Sequence, residues 1–366
     1  MEPESRTSEE TGSAPGPTAL PWRLPVEYRV GLAATAVWAV GVLLGLPVPV
    51  PSRESLRGLE LHFAWPLLVA AVVQLVATAA VAVLGGRRGR AGDALVMVGL
   101  TPLVALSVYL YFSFKAWTPL VNPALHDAAL QRTDEALAPL LAGAVAVRQA
   151  VAAAVPWEVD HWYGLLFFAM FFVSLAVHAV VDPPRRQREL VLGLCLNLVL
   201  GGLAYWLLPA EGPFLWRDGV NESVRGSQQV MHEVFWQVRQ TGELVPGAFT
   251  APLGAMPSLH VAHSLLFVVW AARSARWLLV AYVPVLAWIL VEAPASGWHY
   301  LLDLPAGALL AVASLLLARR LLAARETPPG TGKRRPWTTS TSRAPRGPAA
   351  SSAGSCGPVS TPSSSR

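Results

Sequence analysis

Two histidines, an aspartate, a serine and a lysine are spaced in this chain so that together they could move a phosphoryl group. The string Gly254-Ala255-Met256-Pro257-Ser258-Leu259-His260 runs into an apolar segment, so Pro257, Ser258 and His260 fall at the first turn of a predicted helix. A helix start carries unpaired N–H groups and the positive end of the macrodipole, and Ser258 and His260 add side-chain donors, so the place suits a phosphate. Further on, Ser296-Gly297-Trp298-His299-Tyr300-Leu301-Leu302-Asp303 introduces the last apolar segment, and positions 299 and 303 are expected to share a helix face.

The chemistry follows from the residue types. An imidazole that attacks phosphorus needs its far nitrogen held by an acceptor, which fixes the tautomer and stabilises the positive ring that forms. Asp303 can do this for His299. A second imidazole, His260, can protonate the leaving oxygen. Lys115, Ser258 and helix N–H groups can take up the charge that spreads over the phosphoryl oxygens.

The elements that must position these groups are membrane helices. The chain is 54% hydrophobic and 14% charged, with a mean hydropathy of +0.45, a balance that a water-exposed fold could not bury. The net charge of +5 gathers in short connections between apolar runs, which membrane topology explains without a nucleic-acid partner. Cys195 lies in an apolar run and Cys356 in a polar tail, so neither a disulfide framework nor a thiolate metal site is expected. The carboxylates are scattered.

Apolar runs at Val30 to Val48, Phe63 to Leu84, Ala94 to Phe114, Trp162 to Val181, Leu190 to Leu208, Leu259 to Ala272, Trp277 to Val291 and Leu301 to Leu317 predict an all-α polytopic bundle of about eight spans. The first is interrupted by Pro47, Pro49 and Pro51, and Trp117 beside Lys115 is expected as an interfacial aromatic. The Ala-rich stretch Asn122 to Pro156 carries His126, Asp127, Arg132, Asp134, Glu135 and Arg148, and is expected to form helices at the surface. Pro209 to Pro257 is expected to be an ordered cap. His178 and His263 are expected to pack, Arg217 and Arg225 to be solvated loop charges, and Gly201-Gly202 to allow close helix contact.

The domain reading is a disordered N-terminus at 1–28, N-terminal membrane helices at 29–114, a catalytic membrane domain at 115–322 and a disordered tail at 323–366. Arg-rich turns follow the second, fourth, sixth and eighth spans, which puts them and both termini in the cytoplasm. Lys115, Ser258, His260 and His299 then face the extracytoplasmic side. The Ala, Arg, Gly and Pro richness points to a GC-rich bacterial genome, and so to a bacterial plasma membrane.

These motifs resemble those of the type 2 phosphatidic acid phosphatase superfamily, over roughly Lys115 to Leu317. Its Pro-Ser-x-His motif is met by Pro257, Ser258, Leu259 and His260, and its His-x-x-x-Asp ending by His299 and Asp303. Its first motif, a Lys followed seven residues later by Arg-Pro, is met by Lys115 with Asn122-Pro123, so Asn replaces Arg. Where the phosphatases open their third motif with Ser-Arg, this chain has Glu292 and Ala293. The strings Gly254 to His260, His299 to Gly307 and Tyr205 to Phe214 are more similar to the branch that contains inositol phosphorylceramide synthase.

The resemblance implies a metal-independent enzyme without a cofactor, with His299, His260 and Asp303 catalytic and Lys115, Ser258 and Asn122 binding substrate. A lipid phosphate or phosphodiester would be the substrate, and a lipid alcohol or water the acceptor. A lipid phosphate phosphatase acting on phosphatidate or a polyprenyl diphosphate is the first alternative. A transporter or catalytically silent scaffold is the second.

Overall fold

The computed structural model describes residues 24–50, 72, 76, 88–155, 159–217, 222–245, 248–249 and 253–326. The expected span Phe63 to Leu84, apart from Val72 and Val76, and the tail from Thr327 lie outside the described residues, as do positions 1–23 of the N-terminal segment. Among the described residues the chain forms helices and connections, with no strand.

The helices are α1 (Val26–Leu43), α2 (Arg88–Ala116), α3 (Thr118–Val121), α4 (Asp127–Ala136), α5 (Ala138–Ala154), α6 (Val159–Val181), α7 (Pro184–Leu207), α8 (Glu222–Thr241), α9 (Leu259–Ser274), α10 (Leu279–Ala295) and α11 (Asp303–Glu326). Helix α1 starts within the expected N-terminal tail, and α11 runs four residues into the expected C-terminal one. Among the described residues, six helices are long and apolar enough to cross a membrane: α1, α2, α6, α7, α11, and α10 with the short turn before it. Helix α9, at about 24 Å, is shorter than the ~30 Å hydrocarbon core. It still runs from Ser258 at one end of the bundle to Ser274 at the other. Helices α4 and α5 meet at 84° and would add a span if the pair counted as one. Both flanks of α5 are tied to the Ser258 end: Asp134 accepts from Leu301 N–H, and Tyr163 stacks on His260.

From Leu190 on, helix α7 is apolar on nearly all sides, and it packs at the centre of the bundle with most of its residues buried. Small residues set its distance to α9: a methyl group at Gly201 would lie 2.7 Å from Leu259 Cδ2, as expected of Gly201-Gly202. A second close approach seats α11 on the entry to α9, where a methyl group at Gly307 would lie only 2.2 Å from Ser258 O.

Two expectations are corrected at the first helix. Helix α1 ends at Leu43, well before the prolines, because Gly45 takes a φ of +95°. Gly45 N–H then donates to Val42 O and Leu46 N–H to Gly41 O, closing the helix end. Trp117 is fully buried rather than interfacial, since its indole N–H donates to Pro47 O at 2.7 Å and its ring stacks on Trp38.

The end of the bundle opposite Ser258 carries a cluster of arginines. Arg188 pairs with Glu27, and Glu189 pairs with both Arg273 and Arg319, so α1, α7, α9 and α11 are tied together there.

Candidate active site

Local sequence delivers each element of the site. Ser258 is the N-cap of α9, its Oγ accepting from Val261 N–H at 3.5 Å, which places His260 in the first turn as expected. Asp303 is the first residue of α11, whereas His299 lies in the turn before it. The two therefore do not share a helix face; the turn brings them together instead. His299 Nδ1–H donates to Asp303 Oδ2 at 3.1 Å, the carboxylate being acceptor only, and Tyr300 N–H donates to the same oxygen at 2.8 Å. Ser258 N–H donates to Asp303 O at 3.0 Å, so the backbone joins the two motifs directly.

The His260 and His299 rings face each other with centroids 6.4 Å apart. His299 keeps 7% of its surface, and Ser258 and Asp303 keep none. Lys115, at the end of α2, lies over the rings of Tyr205 and Tyr111 at 5.0 and 5.8 Å. It points at the loop leading into α9: a methyl group at Gly254 would lie 3.0 Å from Lys115 Cε. His260 is within electrostatic reach of both Lys115 and His299. The His299–Asp303 pair, His260 and the donors at the start of α9 are gathered at one end of the bundle, a grouping of polar side chains suited to an anion.

Asn122 serves the backbone, with Nδ2 donating to Trp206 O at 2.8 Å and Oδ1 accepting from Ala124 N–H at 3.0 Å. His263 Nδ1 donates to Leu259 O, and its ring packs among Phe167, Phe171 and Phe267, a packing role as expected. Among the described residues no three His, Cys, Asp or Glu side chains gather in a way that could hold a metal ion.

The turn that carries His299 is held at every residue, and sequence reasoning did not find the groups that hold it. Ala293 O accepts from His299 N–H at 3.0 Å, Asp127 Oδ1 accepts from Tyr300 OH at 2.9 Å, and Asp134 Oδ1 accepts from Leu301 N–H at 2.9 Å. Asp127 also accepts from the N–H groups of Glu211 and Gly212, which ties the outer loop to the same turn. Burial, and then the Asp127 charge, raise the Tyr300 hydroxyl far above its ordinary range, so it stays a donor. Arg217 is not a solvated loop charge: it pairs with Asp134 and reaches Pro294 O. Arg148 pairs with buried Glu292 at 3.1 Å and so locks α5 to the end of α10. One signal for the α4 anchors was available: Asp127 and Asp134 are seven residues apart, two turns along one face of the helix.

Within the expected cap, the described residues form α8, which is tied to the loops that flank the site. Gln228 Nε2 donates to Ser296 O at 3.0 Å, while His232 and Trp236 both engage Glu211. Burial raises the Glu211 carboxyl above its ordinary value, against the pull of His232.

A family model described as the PAP2 superfamily matches residues 128–317, a stretch that includes Ser258, His260, His299 and Asp303 and leaves Lys115 and Asn122 outside. No curated protein and no solved structure matches the chain at a significant level.

Proposed function

The chain belongs to the PAP2 superfamily, and from that premise we propose that it is a membrane-embedded lipid phosphotransferase, similar to inositol phosphorylceramide synthase. One observation carries the reading: the His299–Asp303 pair, bonded at 3.1 Å, faces His260 with ring centroids 6.4 Å apart. Because Asp303 occupies Nδ1, Nε2 of His299 attacks phosphorus. The bond from phosphorus to the leaving lipid oxygen breaks, and His260 gives that oxygen a proton. The phospho-head group is then held on His299 as a phosphohistidine. His260, now neutral, takes the proton of an acceptor hydroxyl, whose oxygen displaces His299 from phosphorus. Lys115, Ser258 and the first N–H groups of α9 stabilise the charge on the phosphoryl oxygens in both steps.

The acceptor is inferred from charge. Asn122, Glu292 and Ala293 stand where the phosphatase motifs carry Arg, Ser and Arg. A site with fewer fixed cations is better matched to a singly charged phosphodiester than to a terminal phosphate. The α8 cap restricts water above the turn, which favours a lipid alcohol as acceptor. Arg185, Arg186, Arg188, Arg273, Arg276, Arg319 and Arg320 gather away from the site. We infer from this that the site faces the extracytoplasmic side of a bacterial plasma membrane, with both termini cytoplasmic.

Purified protein given a phosphodiester lipid labelled in its head group should pass the label to ceramide or diacylglycerol. Rapid hydrolysis of phosphatidate, with no label reaching an alcohol, would make it a phosphatase instead. Turnover of neither lipid would leave a scaffold or transporter.

A further inference from the structure

The phosphoryl-binding side of the site lacks two of the cations that its motifs would carry, so some other donor must meet the charge of the transferred group. Helix α6 passes directly behind His260. The rings of Tyr163 and Phe167, one turn apart, lie 4.6 and 4.4 Å from the His260 ring. Phe167 offers only a surface, but Tyr163 brings a hydroxyl. Tyr163 is 8% exposed, and its Oη is buried with no hydrogen-bond partner among the described residues. That sets it apart. Tyr28, Tyr109, Tyr205 and Tyr282 each donate to a backbone carbonyl, and Tyr300 donates to Asp127. With its ring held against His260, Tyr163 is a buried donor at the edge of the site with nothing to donate to among the described residues.

We propose that Tyr163 is a further substrate-binding residue, whose O–H donates to a non-bridging oxygen of a lipid phosphodiester. The proposal rests on the phosphotransfer reading above. A buried hydroxyl is left without a partner only at a cost, and a substrate oxygen relieves it. A neutral donor meets a singly charged phosphodiester without adding a cation, and its bond strengthens as negative charge grows on the oxygen in the transition state.

The test is Tyr163→Phe, which removes one oxygen and keeps the ring against His260. On a labelled phosphodiester lipid, kcat/KM should fall about 100-fold. Thermal stability should stay level or rise, because an unpartnered buried polar group has been removed. A structural hydroxyl would give the reverse: lower stability with activity per folded molecule retained. Activity within threefold of wild type, on a lipid that wild type turns over, would overturn the proposal and leave the phosphotransfer reading intact. If wild type turns over no lipid, that reading fails, and binding of inorganic phosphate to both proteins by calorimetry decides the hydroxyl's role separately. Weaker binding to the variant supports it, and equal binding, or no binding to wild type, overturns it.

Discussion

The bundle carries a buried histidine–aspartate pair at each end, with the same spacing and the same nitrogen-to-oxygen distance. His178 and Asp182 are four residues apart and meet at 3.1 Å through Nδ1 and Oδ2, and so do His299 and Asp303. Their surroundings differ. At the arginine-rich end, His178 and its partner are closed in: Trp270 Nε1 donates to Asp182 Oδ2 at 2.9 Å, Ser274 Oγ lies 3.4 Å from His178 Nδ1, and Gln187 ties off the carbonyls of Ala179 and Asp182. No second imidazole faces His178 among the described residues, and none of its surface is exposed. At the other end, His299 looks onto His260, which stands in the first turn of α9. A His–Asp pair by itself is a helix tie. It becomes a candidate nucleophile only where a second imidazole and a set of donors share its space.

The largest expected difference between the two pairs is in their alanine variants. His299→Ala should lower turnover about a thousandfold or more while the protein stays folded in detergent. His178→Ala should do the opposite, lowering thermal stability and leaving the activity of the folded fraction near wild type. Loss of chemistry from His178→Ala at full stability would break the comparison. The aspartates sharpen it. Asp303→Asn should cost roughly 100-fold to 10,000-fold in kcat, because an amide can hold the ring but cannot balance its positive charge. Asp182→Asn should instead cost about 1–3 kcal/mol of stability, read from unfolding midpoints.

Glycines at the site-bearing end give a smaller, geometric contrast. Gly307→Ala puts a methyl group 2.2 Å from Ser258 O, so the α9 entry must shift, at about 1–3 kcal/mol and with a matching loss of turnover. Gly164→Ala, in α6 with nothing within 4 Å, should be neutral or stabilising. If Gly307→Ala matches wild type in both readouts, the tight seating of α11 on Ser258 is wrong.

The smallest effect is one of pH. Burial pushes the Asp182 carboxyl up, but hydrogen bonds from His178, Ser274 and Trp270 outweigh it and hold the group below its ordinary range. A lowered carboxyl stabilises the fold fully above its unfolded value of ~3.9, and that contribution is lost as pH falls through the still lower folded value. Wild type and Asp182→Asn should therefore differ in thermal stability by a constant amount at neutral pH and converge in strong acid. Convergence already at pH 6 would contradict the pairing.

Much of the candidate site's arrangement was legible in the sequence because each motif is short. Pro257, Ser258 and His260 sit on one helix start, and His299 and Asp303 sit within one turn, so local spacing nearly determines their geometry. The groups that hold them were not legible, because their partners are distant in the chain. Asp127 meets Tyr300 and Asp134 meets Leu301 across more than 160 residues, and Arg148 meets Glu292 across 144. A charge in an Ala-rich stretch reads as a surface charge until its partner is seen. Trp117 misled for a related reason: an indole at a span end looks interfacial unless the carbonyl that accepts its N–H, here Pro47 O, is known to fold back over it.

The most direct test of the account is to find the atom that carries the group in flight. Protein would be mixed with a phosphodiester lipid radiolabelled at phosphorus, quenched in base to preserve phosphohistidine, and mapped by peptide mass spectrometry. With Nδ1 held by Asp303, the account predicts label on Nε2 of His299, lost in His299→Ala and discharged when a lipid alcohol is added. Label on His260, or steady turnover with no labelled histidine, would contradict it.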